Sequence, residues 1–319
     1  MEKILEKLIR KLYKKQPRSG TAKLLFKYFG VSVMNEIFVK YYWDVQSGRW
    51  HFHGPPIRPS SEDLEIYSFF LDKKKHAQNI LVLGVTPELR NLLAKKLPGR
   101  KITVADFSPE MHRATIGGLK LTGPSSEEWI NSNWLSLPVP EQSFDIIIGD
   151  RVLEQFFSQK DERSFFGEIK RLLRPTGVFI SRFRLRNDKL RDISAKKIIE
   201  DVLRENQQPA KGVSLALVWR IRDAYTSRTG RTMDCASIKR VLEEYVQEKE
   251  PVSKFAVAFE RVLRDMTAFP FRWNHASPSR DELEALYFTF FMIAGERCSS
   301  DYFDAGQHPI FIFTPRKNK

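Results

Sequence analysis

Apolar and polar positions alternate in two different ways along the chain. Between residues 79 and 183, short apolar runs alternate with amphipathic stretches of helical spacing. The apolar runs predict strands at NILVL (79–83), KITVA (101–105), FDIIIG (144–149) and GVFISRF (177–183), with a weaker strand near 129–132. Strands that alternate with helices at this spacing predict right-handed crossovers and a parallel sheet covered by helices on both faces.

Only helical periodicity continues after Phe183. Residues 187–268 predict helices, and strand patterns return in Phe291–Arg297 and His308–Thr314. An all-helical block therefore interrupts an α/β domain. Open α/β sheets bind ligands at the carboxyl ends of their strands, so we expect this block to lie over that edge as a lid or substrate cap.

The first 59 residues differ from both of these stretches. Residues 1–16 predict an amphipathic helix. Its apolar stripe consists of Ile4, Leu5, Leu8, Ile9, Leu12 and Tyr13. Residues 41–59 are rich in aromatic residues and proline and predict an extended connection. Ser60 then begins a helix, because its side chain can cap the backbone while Asp63 reaches back.

Half of the net charge of +14 lies in a small part of the chain, since residues 1–27 hold nine Lys or Arg and two Glu. We expect this basic arm to pack its apolar stripe on the body of the protein, with its lysines in solvent. The alternative is a surface that meets acidic lipid, nucleic acid or a protein partner.

Composition excludes several classes of protein. With 42% hydrophobic residues the chain has enough apolar surface for a core, which excludes a disordered chain. No apolar run approaches the roughly 18 residues of a membrane-spanning helix, and the charged N-terminal residues do not form a secretory signal. Cys235 and Cys298 support neither a disulfide framework nor a cysteine metal site. We therefore expect a cytoplasmic location.

The candidate chemistry begins at the turn after the first strand, where residues 83–88 read LGVTPE. A glycine here lets the backbone turn sharply and approach a ligand closely. The next strand ends in Asp106, 22 residues after Gly84. An acid at this spacing can hydrogen-bond the two hydroxyls of a ribose. Asp106 could instead cap the helix that begins at Ser108 and Pro109.

At this point the sequence resembles the class I S-adenosylmethionine-dependent methyltransferases, over residues 60–183 and the C-terminal strand. The resemblance rests on NILVLGVTPEL, ITVADFSPEMH, NWLSLPVPEQSFDIIIGD, EIKRLLRPTGVFISRF and HPIFIFTPR. It is closest to a bacterial subgroup with LGVTPEL as its first glycine motif. It implies a Rossmann-like, doubly wound, mostly parallel seven-stranded sheet, with S-adenosylmethionine as the cofactor.

The expected fold class is therefore α/β, with a helical insertion and a helical N-terminal arm. We expect four segments in the following order: a basic arm and an aromatic, Pro-rich lid segment at 1–59; a cofactor-binding core at 60–186; a helical insertion or substrate cap at 187–275; and a C-terminal helix with the last strands of the core at 276–319.

The resemblance implies roles for residues that follow the first two strands. Gly84 and the backbone of Val85 and Thr86 would face the methionine part of the cofactor. Asp106 would hold the ribose, and Phe107 would pack on the adenine.

The third and fourth strands lead to further positions of this kind. Asn133 and Trp134 match the family's adenine-edge positions. Asp150, at the end of the fourth strand, matches the motif near the cofactor amine and the site of methyl transfer, which makes it a catalytic candidate. Phe107 and Trp134 could equally be core aromatics, and Asp150 could cap the helix that follows.

The chain departs from the family at the methionine end of the cofactor. The acid that the family usually carries two residues before the first glycine is replaced by Val82, and the second and third glycines are replaced by Thr86 and Glu88. Glu88 could restore the missing carboxylate. Arg58 could bind the cofactor carboxylate, because a guanidinium fork suits a carboxylate, or it could form a surface ion pair.

His51 and His53 form an H-x-H pair and are candidates for a general base in the catalytic step. On a strand both side chains would face the same side, as zinc ligands can. No third ligand has suitable spacing, so we expect no metal site. Trp273, His275 and Tyr302 flank the insertion and could line a substrate pocket or form part of an aromatic core.

The favoured function is methyl transfer to a small molecule or natural-product intermediate, because a large cap suits a small substrate. An RNA or nucleic-acid methyltransferase is the alternative that the charge of +14 suggests. Against it, the sequence shows no RNA-binding module, and no N/D-P-P-Y/F motif follows the fourth strand. A third possibility is a non-catalytic module that keeps the fold. A nicotinamide dehydrogenase would need the G-x-G-x-x-G motif, which is missing.

Overall fold

The structure is a computed structural model that describes residues 40, 43–44, 46–48, 50–119, 127–156, 158–205, 213–229, 235–248 and 277–317. The basic arm at 1–27 and residues 249–275 of the expected helical insertion, which include Trp273 and His275, lie outside the described residues.

The strands are β1 (Asn79–Leu83), β2 (Lys101–Asp106), β3 (Glu127–Asn131), β4 (Phe144–Asp150), β5 (Leu173–Arg182), β6 (Phe291–Arg297) and β7 (Ile310–Pro315). They form a seven-stranded sheet with the order β3-β2-β1-β4-β5-β7-β6. β1 to β5 pair in parallel, whereas β7 runs antiparallel to β5 and β6. The predicted Rossmann-like, mostly parallel sheet is confirmed.

The helices are α1 (Ser61–Leu71), α2 (Pro87–Lys96), α3 (Pro109–Ile116), α4 (Gln159–Leu172), α5 (Ala195–Glu205), α6 (Val213–Thr229), α7 (Cys235–Glu248) and α8 (Arg280–Tyr287). The predicted start of α1 is confirmed, because Ser60 and Asp63 exchange two backbone-to-side-chain hydrogen bonds of 3.0 Å each. None of the helices in the described part of the chain is long and apolar enough to cross a membrane.

Apolar cores lie on both faces of the sheet. Successive strand residues point to opposite faces, so that Ile80 belongs to the core that includes residues of α1 and α2, while Leu81 belongs to the core that includes residues of α4 and α8. The second of these cores is rich in phenylalanine: it includes Phe165, Phe166, Phe179, Phe183, Phe291, Phe311 and Phe313.

The insertion helices α5, α6 and α7 have an apolar cluster of their own. It consists of Ile198, Ile199, Val202, Ala216, Leu217, Ile221, Ala224, Leu242 and Tyr245. α6 nevertheless contacts the core, because Arg184 just after β5 donates a hydrogen bond of 2.8 Å to Asp223. The described part of the insertion therefore touches the carboxyl end of β5. The division of the chain into domains stays a prediction.

The described residues between 40 and 59 lie across the carboxyl edge of the sheet. Ser108, just after β2, donates a hydrogen bond of 2.7 Å from its hydroxyl to Asp44. The indole of Trp43 donates one of 2.6 Å to Gln155, just after β4. This segment therefore bridges the ends of β2 and β4, where the resemblance places the cofactor.

The same segment also reaches β5, because Arg182 donates a hydrogen bond of 2.9 Å from its guanidinium to the carbonyl of Pro56. The prediction of an extended connection is wrong for part of this segment. Residues 43–44 and 46–47 are helical, and Trp50–Phe52 form a 3₁₀-helix. The three prolines that suggested an extended chain lie only in its second half.

Candidate functional site

The turn after β1 brings three of the predicted residues together. Gly84 has a φ of +86°, a left-handed conformation that favours glycine. The backbone N–H of Gly84 and the indole N–H of Trp134 each donate a hydrogen bond of 2.8 Å to the carbonyl of Ala105. A Cβ on Gly84 would lie 3.7 Å from the Trp134 ring and 3.9 Å from the Asp106 carboxylate. The fold therefore gathers Gly84, Asp106 and Trp134 at one place.

Asp106 is a buried carboxylate at the end of β2. It accepts a hydrogen bond of 2.7 Å from the backbone N–H of Ser108. Burial raises the pKa of Asp106 to about 7; the N–H groups of Ser108 and Phe107 lower it, and the nearby Asp44 raises it. No basic side chain in the described ranges pairs with Asp106. Because Ser108 is the residue that caps α3, capping does not account for Asp106.

The other predicted cofactor residues lie along the same edge of the sheet. Val85 is buried, and Thr86 is at the start of α2, where its side chain makes no capping hydrogen bond. Phe107 is half-buried. Asn133 accepts a hydrogen bond of 3.0 Å from the backbone N–H of Leu135. Their roles toward a cofactor stay predictions.

Arg58 forms an ion pair with Glu88 in the first turn of α2. Its guanidinium also lies 5.4 Å from the centre of the Trp50 ring. The second carboxylate oxygen of Glu88, Oε2, is buried and has no hydrogen-bond partner within the described ranges of the chain. A buried acceptor without a donor is costly, so this oxygen is suited to a ligand's ammonium group.

Asp150, at the end of β4, is held by a bidentate ion pair with Arg182. The guanidinium Nε donates to Oδ1 at 2.7 Å, and Nη2 donates to Oδ2 at 2.9 Å. The two side chains are 3% and 0% exposed. Burial raises the pKa of Asp150, and the guanidinium opposes that shift. The helical turn that follows begins at Val152, and its N-cap residue is Arg151 with no side-chain capping bond, so Asp150 does not cap it.

Arg182 also connects distant parts of the chain. Its Nη1 forms an ion pair with Asp63 in α1 and donates a hydrogen bond of 3.0 Å to the hydroxyl of Tyr302. Its backbone N–H donates one of 2.9 Å to the hydroxyl of Tyr67. A buried ion-pair network therefore lies beside Asp150, where the resemblance implies methyl transfer.

His51 and His53 do not lie on a strand, which was the condition for a shared zinc-binding face. His51 is exposed, and His53 is half-buried with its Nε2 at 2.9 Å from the side-chain oxygen of Gln46. Over the ranges that the structure describes, no group of three or more His, Cys, Asp or Glu is arranged to hold a metal ion. A role for either histidine as a general base stays a prediction.

Four residues at this edge of the sheet were not predicted from the sequence. They are Asp44, Arg182, and the pair Trp219 and His308, whose ring centres lie 5.5 Å apart. One signal was available for Arg182, which is a charged residue in the apolar run GVFISRF. A guanidinium inside a buried strand must find a carboxylate, and Asp150 and Asp63 supply it. Nothing in the local pattern marks the other three, because their partners lie far away in the sequence.

Comparisons with known proteins agree with this geometry. Residues 84–181, from the turn after β1 to the last part of β5, match the family described as "Methyltransferase domain". The CcbJ methyltransferase from Streptomyces caelestis is similar with a TM-score of 0.51 at 12% identity, over 86% of this chain and 98% of that chain. No curated protein matches the chain.

Two further solved structures are similar. One from Rhodobacter sphaeroides, described as a Zn-dependent alcohol dehydrogenase, has a TM-score of 0.54 at 14% identity, over 87% of this chain and 98% of that chain. The N-methyltransferase NodS from Bradyrhizobium japonicum, solved with S-adenosylhomocysteine, has a TM-score of 0.47 at 11% identity, over 88% and 99%. Identities this low show the fold alone.

The fold is thus the Rossmann-like fold that methyltransferases share, and residues 84–181 match a methyltransferase domain.

Proposed function

We propose that this chain is an S-adenosylmethionine-dependent methyltransferase that acts on a small molecule. The observation that carries the proposal is the buried Asp106 carboxylate beside the left-handed turn at Gly84. The methyltransferase domain at residues 84–181 supports the reaction class.

The residues at the ends of β1 and β2 fit the adenosine part of the cofactor. Asp106 accepts backbone hydrogen bonds but pairs with no cation among the described residues. Two ribose hydroxyls would donate hydrogen bonds to this buried carboxylate. The ring of Trp134 lies against Gly84 and would form one wall of this part of the site.

The ion pair of Arg58 and Glu88 fits the amino-acid part. Arg58 has a guanidinium for the carboxylate, and Glu88 has a buried free oxygen for the ammonium. In this arrangement Glu88 replaces the acid that is missing at Val82. The cofactor, when bound, would supply a methyl group on a sulfonium. The protein would contribute alignment of the accepting atom and exclusion of water.

A small substrate is supported by what covers the carboxyl edge of the sheet. Asp44 and Pro56 contact the ends of β2 and β5 from one direction, and Asp223 of α6 contacts Arg184 from another. Enclosure from two sides suits a small molecule. The nucleic-acid alternative rests on the charge of residues 1–27, which are outside the described residues.

The first test is calorimetry with S-adenosylhomocysteine. We expect Asp106→Ala to weaken binding by about 1–3 kcal/mol, the scale for losing hydrogen bonds to a charged group. Asp145→Ala is the matched control. Asp145 is also a strand aspartate that accepts backbone N–H groups, from Gln78 and Asn79, but it lies at the opposite edge of the sheet. Its removal should leave the affinity unchanged.

Two outcomes would count against the proposal. If the wild-type protein does not bind S-adenosylhomocysteine, the cofactor assignment is wrong. If Asp106→Ala binds as tightly as wild type, Asp106 does not hold the ribose.

A further inference from the structure

A second group of buried and half-buried side chains lies beside the carboxyl ends of β4 and β5. Its centre is Trp219 of α6. The guanidinium carbons of Arg151 and Arg184 lie 4.8 and 5.1 Å from the centre of the Trp219 ring, and the imidazole of His308 lies 5.5 Å from it, centre to centre. The ring of Tyr302 is 5.7 Å from that of His308. We refer to these five residues as the Trp219 cluster.

Several polar atoms here are buried and have no hydrogen-bond partner among the residues that the structure describes. They are Nε of Arg184, Nε2 of His308 and Oδ1 of Asp223, the residue that pairs with Arg184. These residues are 3%, 0% and 1% exposed. Buried polar atoms nearly always have partners, so three without one at the same place indicate a site for a bound group with polar atoms.

The hydrogen bond of His308 determines what its free nitrogen can accept. Nδ1 lies 3.0 Å from the backbone carbonyl of Asp304. A carbonyl oxygen only accepts, so in the neutral ring Nδ1 carries the proton and Nε2 presents a lone pair. Burial lowers the pKa of His308 well below its ordinary value, and the charges of Arg151, Arg182 and Arg184 lower it further. The ring therefore stays neutral near pH 7.

Charge balance argues against an anionic ligand. The arginines around the cluster are already paired with carboxylates: Arg151 with Glu154, Arg184 with Asp223, and Arg182 with both Asp150 and Asp63. Because each of these guanidiniums has its counter-charge, the described residues leave no surplus positive charge for a phosphate or a carboxylate. A neutral ligand that donates a hydrogen bond fits this environment.

We propose that the Trp219 cluster binds the methyl-accepting substrate, a neutral small molecule with a hydroxyl group on an aromatic ring, and that Nε2 of His308 accepts the hydrogen bond of that hydroxyl. The rings of Trp219 and Tyr302 supply the apolar lining that such a molecule needs. Arg151 directly follows Asp150, where the resemblance implies methyl transfer. This inference rests on the proposed function.

The assignment has a consequence for specificity and for product release. A buried acceptor discriminates strongly against an analogue that has no donor, because the acceptor is then left unpaired. Methyl transfer would form an oxygen–carbon bond as the carbon–sulfur bond of the sulfonium breaks, and the hydroxyl proton would pass through Nε2 of His308 to solvent. The product ether then has no hydrogen to donate. The methylated product therefore loses the bond to His308 and binds more weakly than the substrate.

The test is nitrogen NMR of the full-length protein labelled with ¹⁵N-histidine. The His308 signals are identified by their absence in His308→Asn, a variant that keeps a donor for the carbonyl of Asp304. Two further features identify them. Their chemical shifts are those of a neutral ring protonated at Nδ1, and these shifts do not change in mild acid. Three probes are compared: phenol, its methyl ether anisole, and phenyl phosphate. We expect phenol to shift the Nε2 signal. Anisole should need at least a tenfold higher concentration for the same shift, and phenyl phosphate should bind no more tightly than phenol.

The proposal is overturned if saturating phenol leaves the Nε2 signal unmoved, or if anisole shifts it equally well. Tighter binding of phenyl phosphate would instead define an anion site and would also overturn it. Calorimetry of S-adenosylhomocysteine on the same sample separates the two proposals. If that ligand binds and phenol does not reach Nε2, only this inference fails. If that ligand does not bind, the proposed function fails whatever phenol does.

Discussion

Gly84 and Gly99 are the glycines with left-handed backbone in the described part of the chain, at φ values of +86° and +73°. Variants at these two positions separate the effect of the left-handed backbone on stability from its effect on ligand binding. Replacing either with alanine should cost about 1–2 kcal/mol of unfolding free energy, because a Cβ disfavours this conformation. Only Gly84→Ala should also weaken binding of S-adenosylhomocysteine, since Gly84 lies beside Asp106 and Gly99 has no atom within 4 Å of its added Cβ.

Urea unfolding and calorimetry on both variants check this prediction. Equal affinity in the two variants would show that the turn at Gly84 is a structural feature and not part of the cofactor site.

The buried Asp106 makes the stability of the folded protein depend on pH, and the shift of its pKa gives the direction of that dependence. Its pKa is raised from 3.8 to about 7 in the folded state. The folded protein therefore holds this proton more tightly, and the associated stability is lost as the pH rises from about 4 to about 7. Relative to wild type, Asp106→Asn should gain stability between pH 5 and pH 8, by at most about 1.4 kcal/mol per pH unit below pH 7.

Asp145→Asn is the control of opposite sign. Burial acts to raise the pKa of Asp145, but the N–H groups of Asn79 and Gln78 and the guanidinium of Arg174 lower it overall. Its carboxylate therefore stabilises the fold above the unfolded pKa, and that stability is lost as the pH falls. Urea unfolding at pH 5 and pH 8 should show that Asp145→Asn gains no stability relative to wild type. A flat difference between Asp106→Asn and wild type would contradict the assigned burial of Asp106.

Among the elements, local pattern was sufficient for two strands of different burial. Both the buried β1 and the largely exposed β6 have the predicted limits. β5 begins at Leu173 instead of the predicted Gly177, because Leu173 pairs with Phe144 ahead of an irregularity in the pairing of β4 and β5. The intervening R-P-T-G sequence is typical of a turn. A bulge of this kind depends on the neighbouring strand and is not visible in a single segment.

In the candidate site, too, some contacts follow from the local sequence pattern and others depend on segments that meet only in the folded chain. Gly84 and Asp106 come from the ends of adjacent strands, so the alternation of strands and helices was enough to place them together. Glu88 was considered from its position in the motif. Its contact with Arg58, and the contact of Trp219 with His308, join segments that approach only in the folded protein. No periodicity encodes such contacts.

Residues 41–59, the segment expected to act as a lid, allow a prediction about a single element of the fold. Asp44 reaches Ser108 beside Asp106, so a ligand on Asp106 should hold this segment more firmly. We expect its amides to exchange more slowly when S-adenosylhomocysteine is bound. The amides of β6, at the far edge of the sheet from β2, serve as the control and should not change. Hydrogen exchange with mass spectrometry measures both, and unchanged exchange in residues 41–59 would exclude a lid function.

For the whole molecule, the uneven distribution of charge separates the two candidate substrates. A nucleic-acid substrate would be bound through several phosphates, and its affinity would fall steeply with salt. We expect transfer RNA to bind weakly, and deletion of residues 1–18 to leave the affinity for S-adenosylhomocysteine unchanged. Filter binding at two salt concentrations measures the first and calorimetry the second. Tight, salt-sensitive RNA binding that disappears on deletion would favour the nucleic-acid function.

The network around Arg182 also has a consequence for synthesis of the chain. Asp63 binds Arg182 and accepts a hydrogen bond from Ser299, a residue 236 positions later in the sequence. On the ribosome, α1 and the first five strands emerge well before Ser299 and Tyr302 do. The parallel part of the sheet can therefore form early, while its link to the C-terminal hairpin has to wait. The enclosed edge of the sheet is completed late, so a partly synthesised chain would hold an open and incomplete site.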